Sequence, residues 1–197
     1  MSLTRSKRIA ASILLFILSY PVFLVIWIQV KPFYGALLVR ATSEITALVK
    51  NAQIKEIKDE KEKTTVSFVL KAYTLKGWKR LEVNVSFFVS TYTFNVPLTL
   101  ALILGLFPMV SFEKKKILEA GAILILVHMV FVFSMEGRQI YYASVKSGIQ
   151  PRSEFAHFFW DFLWSFSVYM LIRFEPFLIA IYLYLRSPRS GFKLLSR

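Results

Sequence analysis

The chain reads as an integral membrane protein, mainly α-helical. It is expected to have four transmembrane helices and a small extracytoplasmic α+β domain inserted between helices 1 and 2. Three observations predict this class. Apolar stretches of about 18 residues or more recur along the 197-residue chain, 56% of which is hydrophobic, and runs of that length signal bilayer spans rather than soluble cores. One long polar segment, residues 31–92, separates the first span from the rest. Its last part alternates apolar and polar residues before running straight into apolar sequence, as LEVNVSFFVSTYTFNVPLTLALILG over 81–105.

The first domain, 1–30, holds three basic residues, Arg5, Lys7 and Arg8, and then an apolar run over 9–30. That run exceeds the roughly 7–15 residues of a signal-peptide core, and no small-residue cleavage pattern follows it, so an uncleaved helix is expected. Pro21 can kink it, with neighbouring helices re-satisfying the freed carbonyl, and Trp27 falls at interface depth.

In the extracytoplasmic domain, 31–92, Pro32 restarts the chain. Leu37, Ala41, Ile45 and Leu48 recur at helical spacing opposite Arg40, Ser43 and Lys50, which predicts an amphipathic helix over about 33–50. A weak strand at 53–58, a charged turn at 58–63, a strand at 65–73 and a turn at 75–79 follow. Leu81, Val83, Val85, Phe87 and Val89 then share one face of a strand, with Glu82, Asn84, Ser86 and Ser90 on the other. A lone hairpin is marginal in water, so a meander covered by the 33–50 helix is expected, its apolar face against Leu37, Ala41, Ile45 and Leu48.

Helices 2–4 occupy 93–185. The second span, 93–110, carries Pro97 in its first turn, where a missing N–H costs little, and Asn95 just before it. Ala101 and Gly105 form a small-xxx-small pair that permits close helix approach. A basic loop at 112–116 leads to the third span, 117–135, with His128. An outer loop at 136–157 precedes the fourth run, 158–185, with Trp160 and Trp164 at one interface and Tyr182 and Tyr184 at the other. The tail, 186–197, is basic.

Lys and Arg in short segments set the orientation. Residues 1–8, 112–116 and 186–197 hold three, three and four of them, and the longer 136–157 loop three. Both termini are expected in the cytoplasm, in a multi-pass protein of the cell inner membrane. The net charge of +13 fits cytoplasmic anchoring and attraction to anionic lipids better than nucleic acid. The absence of cysteine removes disulfides, thiolate catalysis and Cys-based metal sites. Two histidines with no carboxylate cluster at ligand spacing argue against a metal, and no cofactor is expected.

The junction Tyr92-Thr93-Phe94-Asn95-Val96-Pro97-Leu98, followed by Ala101-Leu102, resembles the exosortase H-associated membrane proteins. Their pattern is an aromatic-rich lead-in to a Leu-Pro-Leu-x-x-Ala-Leu-like helix start. The layout is similar too: about 200 residues, an N-terminal helix, an outer segment with strands, three further spans and a proline in the last, here Pro176. A Gly-rich approach and an Asn-Pro pair before the motif are absent, and the charged neighbourhood at 173–176 departs from the pattern. The resemblance implies a companion to a membrane transpeptidase that processes proteins with a C-terminal sorting tail. That enzyme class uses a Cys nucleophile with His and Arg, so this chain, lacking Cys, is expected to be a non-enzymatic accessory subunit. Its partner is then another integral membrane protein, of sortase-like kind.

Arg173 and Glu175 lie midway along the fourth run. A charge near the bilayer centre costs about 2.5–3.5 kcal/mol on insertion scales, so such residues face protein or water. Two apart on a helix, they point about 200° from each other and need separate partners. Counted from the cytoplasmic ends, Glu175 and His128 both lie roughly 15–16 Å deep, so they are expected to meet, leaving Arg173 for a partner protein. His157 and Asp161, four apart at the outer interface, can pair. Asn95 and Pro97 read as a helix start and a binding feature. Two rival functions rest on the same residues: a lipid- or small-substrate-handling transport subunit with Arg173 and Glu175 lining a polar path, and a hydrolase using Asp161, His157 and Glu175, for which no nucleophile is present.

Overall fold

In a computed structural model, residues 5–74, 77–110 and 113–186 are described. The tip of the turn expected at 75–79, the start of the 112–116 loop and nearly all of the basic tail lie outside the described residues. Helix α1, Arg5–Val49, is followed by strands β1, Gln53–Glu60, β2, Lys63–Thr74, and β3, Gly77–Phe88. Then come α2, Val89–Thr93, α3, Val96–Gly105, α4, Lys114–Lys146, α5, Glu154–Phe166, and α6, Ile172–Leu185, with a π-helical turn, Ser167–Leu171, between α5 and α6. The fold is thus mainly helical, with one small sheet.

Among the described residues, three stretches are long and apolar enough to cross a membrane: Ser6–Val49, Lys114–Lys146 and Glu154–Leu185. The fourth expected span is shorter, an apolar stretch over Val89–Gly105 in which α3 has 10 residues. Ten residues rise only about 15 Å, half a hydrocarbon core. The sequence explains the length. Pro97 sits in the first turn of α3, after Asn95 at the cap position, and Pro108 follows Gly105 closely, a combination that stops helices.

Pro32 does not restart the chain. The 45 residues of α1 run through Pro21 and Pro32 without a break, a length of ~67 Å. Proline inside a helix sacrifices one hydrogen bond, and apolar surroundings with other helices tolerate that. The loop expected at 136–157 is likewise helical as far as Lys146, because α4 continues for 33 residues.

The described residues divide into two compact units. One takes Met1–Val30, Phe94–Leu126 and Arg173–Arg197, the other Lys31–Thr93 and Val127–Ile172. In the first, Ala120, Ile179 and Leu183 are buried together, with Ile103, Ile123, Leu124 and Tyr182 packed on them. A Cβ at Gly105 would stand 3.0 Å from the Cβ of Phe16 and 3.2 Å from the carbonyl of Ser12, so the small residue is what lets α3 approach α1.

In the second unit the strands form an antiparallel meander in the order β1-β2-β3. Val66 pairs with Val85, Phe68 with Val83 and Leu70 with Leu81, and Val66, Phe68, Val83, Val85 and Phe87 are buried, as alternation predicts. The covering helix face is a correction. Leu37 and Leu48 are 60% and 84% exposed, and Ile45 is exposed as well. Buried instead are Leu38, Val39, Thr42, Ser43, Thr46 and Ala47. The turn of the helix is set by polar pairing: hydroxyls from α1 satisfy a buried carboxyl, and the apolar stripe is left outside. Gly35 belongs to the buried side, where a Cβ would come within 2.6 Å of both methyls of Val89. Lys31 pairs with Glu62 at 2.6 Å and Ser90 donates to the same carboxylate at 2.7 Å. These bonds tie the β1–β2 turn to α1 and hold the Glu62 carboxyl below its ordinary range.

Candidate functional site

The polar side chains of the helices form separate constellations, some in each unit. In the first unit the organising residue is Glu175, 1% exposed. Thr99, one turn into α3, donates its hydroxyl to Glu175 Oε1 at 2.8 Å and also bonds the Asn95 carbonyl at 3.1 Å. Asn95 is buried at the cap position with helical dihedrals, and it serves the helix start through its backbone rather than a side-chain cap. Pro97, also buried, fixes the first turn that presents Thr99 to the carboxyl.

Arg173, two residues before Glu175, is exposed. The helix therefore turns these two charges to different surroundings, as a 100° step per residue demands. The π-helical turn lies immediately before them, the Ile172 N–H reaching back to the Ser167 carbonyl. Pro176 supplies no N–H to the Ile172 carbonyl, and single π turns of this kind concentrate at functional sites. Further along α6, Tyr182 and Arg186 both donate to Glu119, the latter at 2.8 Å.

In the second unit His128 is fully buried, its Nδ1 2.7 Å from the hydroxyl of Tyr34 on α1. Tyr92 lies edge-on to the same imidazole and stacks on Phe131. Glu175 belongs to the first unit and His128 to the second, so their expected pairing stays an expectation. Two turns along α4, Glu136 is 0% exposed and accepts hydroxyl bonds from Ser43, at 2.5 Å, and from Thr46. Gly137 beside it admits the Trp160 ring, which would lie 2.1 Å from a Cβ there.

The expected pair at the outer interface exists as part of a larger group. His157 Nδ1 is 3.1 Å from Asp161. Arg138 donates to the same carboxylate at 2.7 Å and Tyr142 at 2.8 Å, while the Tyr142 hydroxyl also lies 3.2 Å from His157 Nε2. The Arg138 guanidinium sits over the Trp164 ring. An aspartate so fully engaged is an anchor between α4 and α5, and no serine, threonine or lysine nucleophile joins it among the described contacts. Among the described residues no group of histidines and carboxylates could hold a metal ion.

Sequence reasoning singled out His128, Arg173, Glu175, His157, Asp161, Asn95 and Pro97, but not Glu136, Ser43, Thr46, Tyr34 or Tyr92. A usable signal was present. Gly35, Thr42, Ser43, Thr46 and Ala47 make a stripe of small and hydroxyl-bearing residues at helical spacing, the composition that membrane helices use to pack closely and to satisfy a polar neighbour.

No curated protein and no solved structure matches this chain. A family model, that of the exosortase H-associated membrane proteins, matches residues 6–187, which takes in every helix and strand described above apart from the first residue of α1. The likeness read from the Tyr92–Leu102 junction therefore extends over nearly the whole chain, which belongs to the exosortase H-associated membrane protein family.

Proposed function

We propose that this protein is a non-enzymatic accessory subunit. On this reading it accompanies an exosortase-type transpeptidase in the inner membrane during the sorting of C-terminally tagged proteins. The family description supports an association with such an enzyme, and the chain has no cysteine with which to perform thiolate chemistry itself. The observation that carries the reading is the exposure of Arg173 beside the buried Glu175 on α6. An arginine facing outward from an apolar helix at membrane depth is costly. A second membrane protein with an acidic or carbonyl-rich surface adds to the contacts that Arg173 makes within the chain.

The topology that goes with this proposal has four passages. The three long helices supply three, and the Val89–Gly105 stretch with the turn after it supplies the fourth, its irregular backbone tolerated where protein surrounds it. Both termini then lie in the cytoplasm and the strands outside. Cysteines introduced singly into this cysteine-free chain test the topology. An impermeant thiol reagent should label Lys61→Cys and Ser147→Cys in intact cells, and labelling of Lys115→Cys would overturn it.

The partner role is tested by affinity capture from native membranes. Arg173→Leu should insert and melt like the parent while recovery of the transpeptidase falls tenfold or more, the scale set by removing one member of a desolvated ion pair. Full recovery with the variant would sink the assembly role of this helix.

A further inference from the structure

Where α4 ends and α5 begins, both in the second unit, a cleft of about 170 Å³ is lined by Tyr141, Tyr142, Val145, Lys146, Arg152 and His157. Its walls are mostly apolar: two phenol rings, the valine and the aliphatic stem of the lysine. Its polar groups are of one kind, two cations with imidazole and phenol beside them. Tyr141 is fixed in place, donating to the Ser153 carbonyl at 2.8 Å and accepting from the Ser153 N–H at 3.2 Å. The two cations are not consumed by the fold. Lys146 and Arg152 are exposed. Lys146 pairs with no carboxylate among the described residues, and Arg152 meets only the exposed Glu154, at 2.9 Å.

Another face of α5 carries an aromatic row. Phe158, Phe162 and Phe166 stack in sequence along α5, with centroids 5.9 and 5.8 Å apart, and all three are exposed. Phe155, one turn earlier, is 78% exposed. Stacked, outward-facing phenylalanines on a helix of this composition seek hydrocarbon, and cations at the end of such a row sit where headgroups lie.

We infer that this cleft binds a single anionic phospholipid, its phosphate held by Lys146 and Arg152 and its first methylenes laid against Tyr141, Tyr142 and Val145. The chemistry is that of an amphiphile. The apolar wall accepts the first methylenes, and the cations neutralise the phosphate. Arg138 and Asp161 satisfy each other, and with Glu154 set against Arg152 the Lys146 charge leaves the rim positive.

The test uses the full-length protein in nanodiscs of phosphatidylcholine with a graded fraction of phosphatidylglycerol, with retained lipid counted by native mass spectrometry. The parent should keep one phosphatidylglycerol in preference to phosphatidylcholine. Each rim charge near a membrane surface is worth about a fivefold change in affinity, so Lys146→Gln with Arg152→Gln should weaken retention by about 25-fold. Lys71→Gln, an exposed lysine on the sheet, should not. Val145→Trp fills the cleft without altering charge and should also lose the lipid. Three results would overturn the inference: retention unchanged in the double variant, equal loss in Lys71→Gln, or displacement of the lipid by millimolar inorganic phosphate, which would mark a site for a free anion.

Discussion

Two buried carboxyls, Glu136 and Glu175, solve the same problem with different means. Glu136 receives two hydroxyls from one helix, Ser43 and Thr46 of α1, so its partners arrive together on a single face. Glu175 receives the hydroxyl of Thr99, carried by the short helix whose start Pro97 fixes, and has other contacts besides. The first arrangement makes the rotation of α1 depend on a carboxyl. The second makes the position of α3 depend on one, beside a π-helical turn and an exposed arginine. A carboxyl that orients a helix and a carboxyl that sits beside a candidate docking residue should respond differently when their donors are taken away.

The largest effect is expected at Glu136. Replacing Ser43 and Thr46 together by valine leaves a buried acceptor unsatisfied, at a cost of about 1–3 kcal/mol for each donor lost. The melting temperature in detergent should fall accordingly. Adding Glu136→Leu to that double variant should restore most of the loss, because removing both sides of a buried polar contact is close to neutral. If the triple variant melts no higher than the double, the hydroxyls matter for packing rather than for the carboxyl.

Next in size is Gly137. Its virtual Cβ falls 2.1 Å from the Trp160 ring, whereas nothing lies within 4 Å of one at Gly121 on the same helix. Gly137→Ala should therefore destabilise by about 1–3 kcal/mol through overpacking. Gly121→Ala should stabilise, by up to about 1 kcal/mol of helix propensity. The same substitution on one helix thus changes sign, and thermal melts of the two variants decide it. Thr99→Val is expected to be milder, about 0.6–1.7 kcal/mol on the scale of interhelical bonds in membranes, because Glu175 keeps its other contacts. A loss as large as that of the Ser43/Thr46 double variant would mean that the two sites are equivalent after all.

What the sequence disclosed follows the same divide. The apolar runs and the alternation over 81–89 report burial directly, since lipid and a half-buried sheet each impose a period on composition. The meander, its pairing face and the membrane class were legible for that reason. Glu175 stood out because it interrupts an apolar run. Glu136 did not, because it follows the last residue of one and looks like the first residue of a loop. The buried face of α1 was misread for a related reason. Leu37, Ile45 and Leu48 look like core beside Ser43 and Thr46 when water is assumed to be the outside solvent, yet in a chain of this class a hydroxyl stripe is as apt to face a neighbouring helix. The continuity of α1 through Pro32 was hidden because the cost of a helical proline depends on its surroundings, which one chain position does not reveal.

The smallest effect concerns Lys50, directly after the last residue of α1. Its ammonium lies 3.8 Å from the centre of the Trp160 ring, the ring that also fills the space at Gly137. Burial lowers its pKa from 10.5 to about 8, and attraction to the ring works in the opposite sense by favouring the charged form. The sign of the pH dependence follows from proton counting. At or below pH 8 the unfolded chain holds its proton, and the folded chain bears the cost of keeping the same charge out of water. Between about 8 and 10.5 the unfolded state binds more protons than the folded one, so stability rises with pH through that window and levels above it. Lys50→Met removes the titrating group. The melting temperature of the parent minus that of Lys50→Met, measured from pH 7 to 10.5 in one detergent, should therefore climb across the window, whatever the other lysines do in both proteins. A flat difference would show that the ring holds the ammonium charged throughout the window.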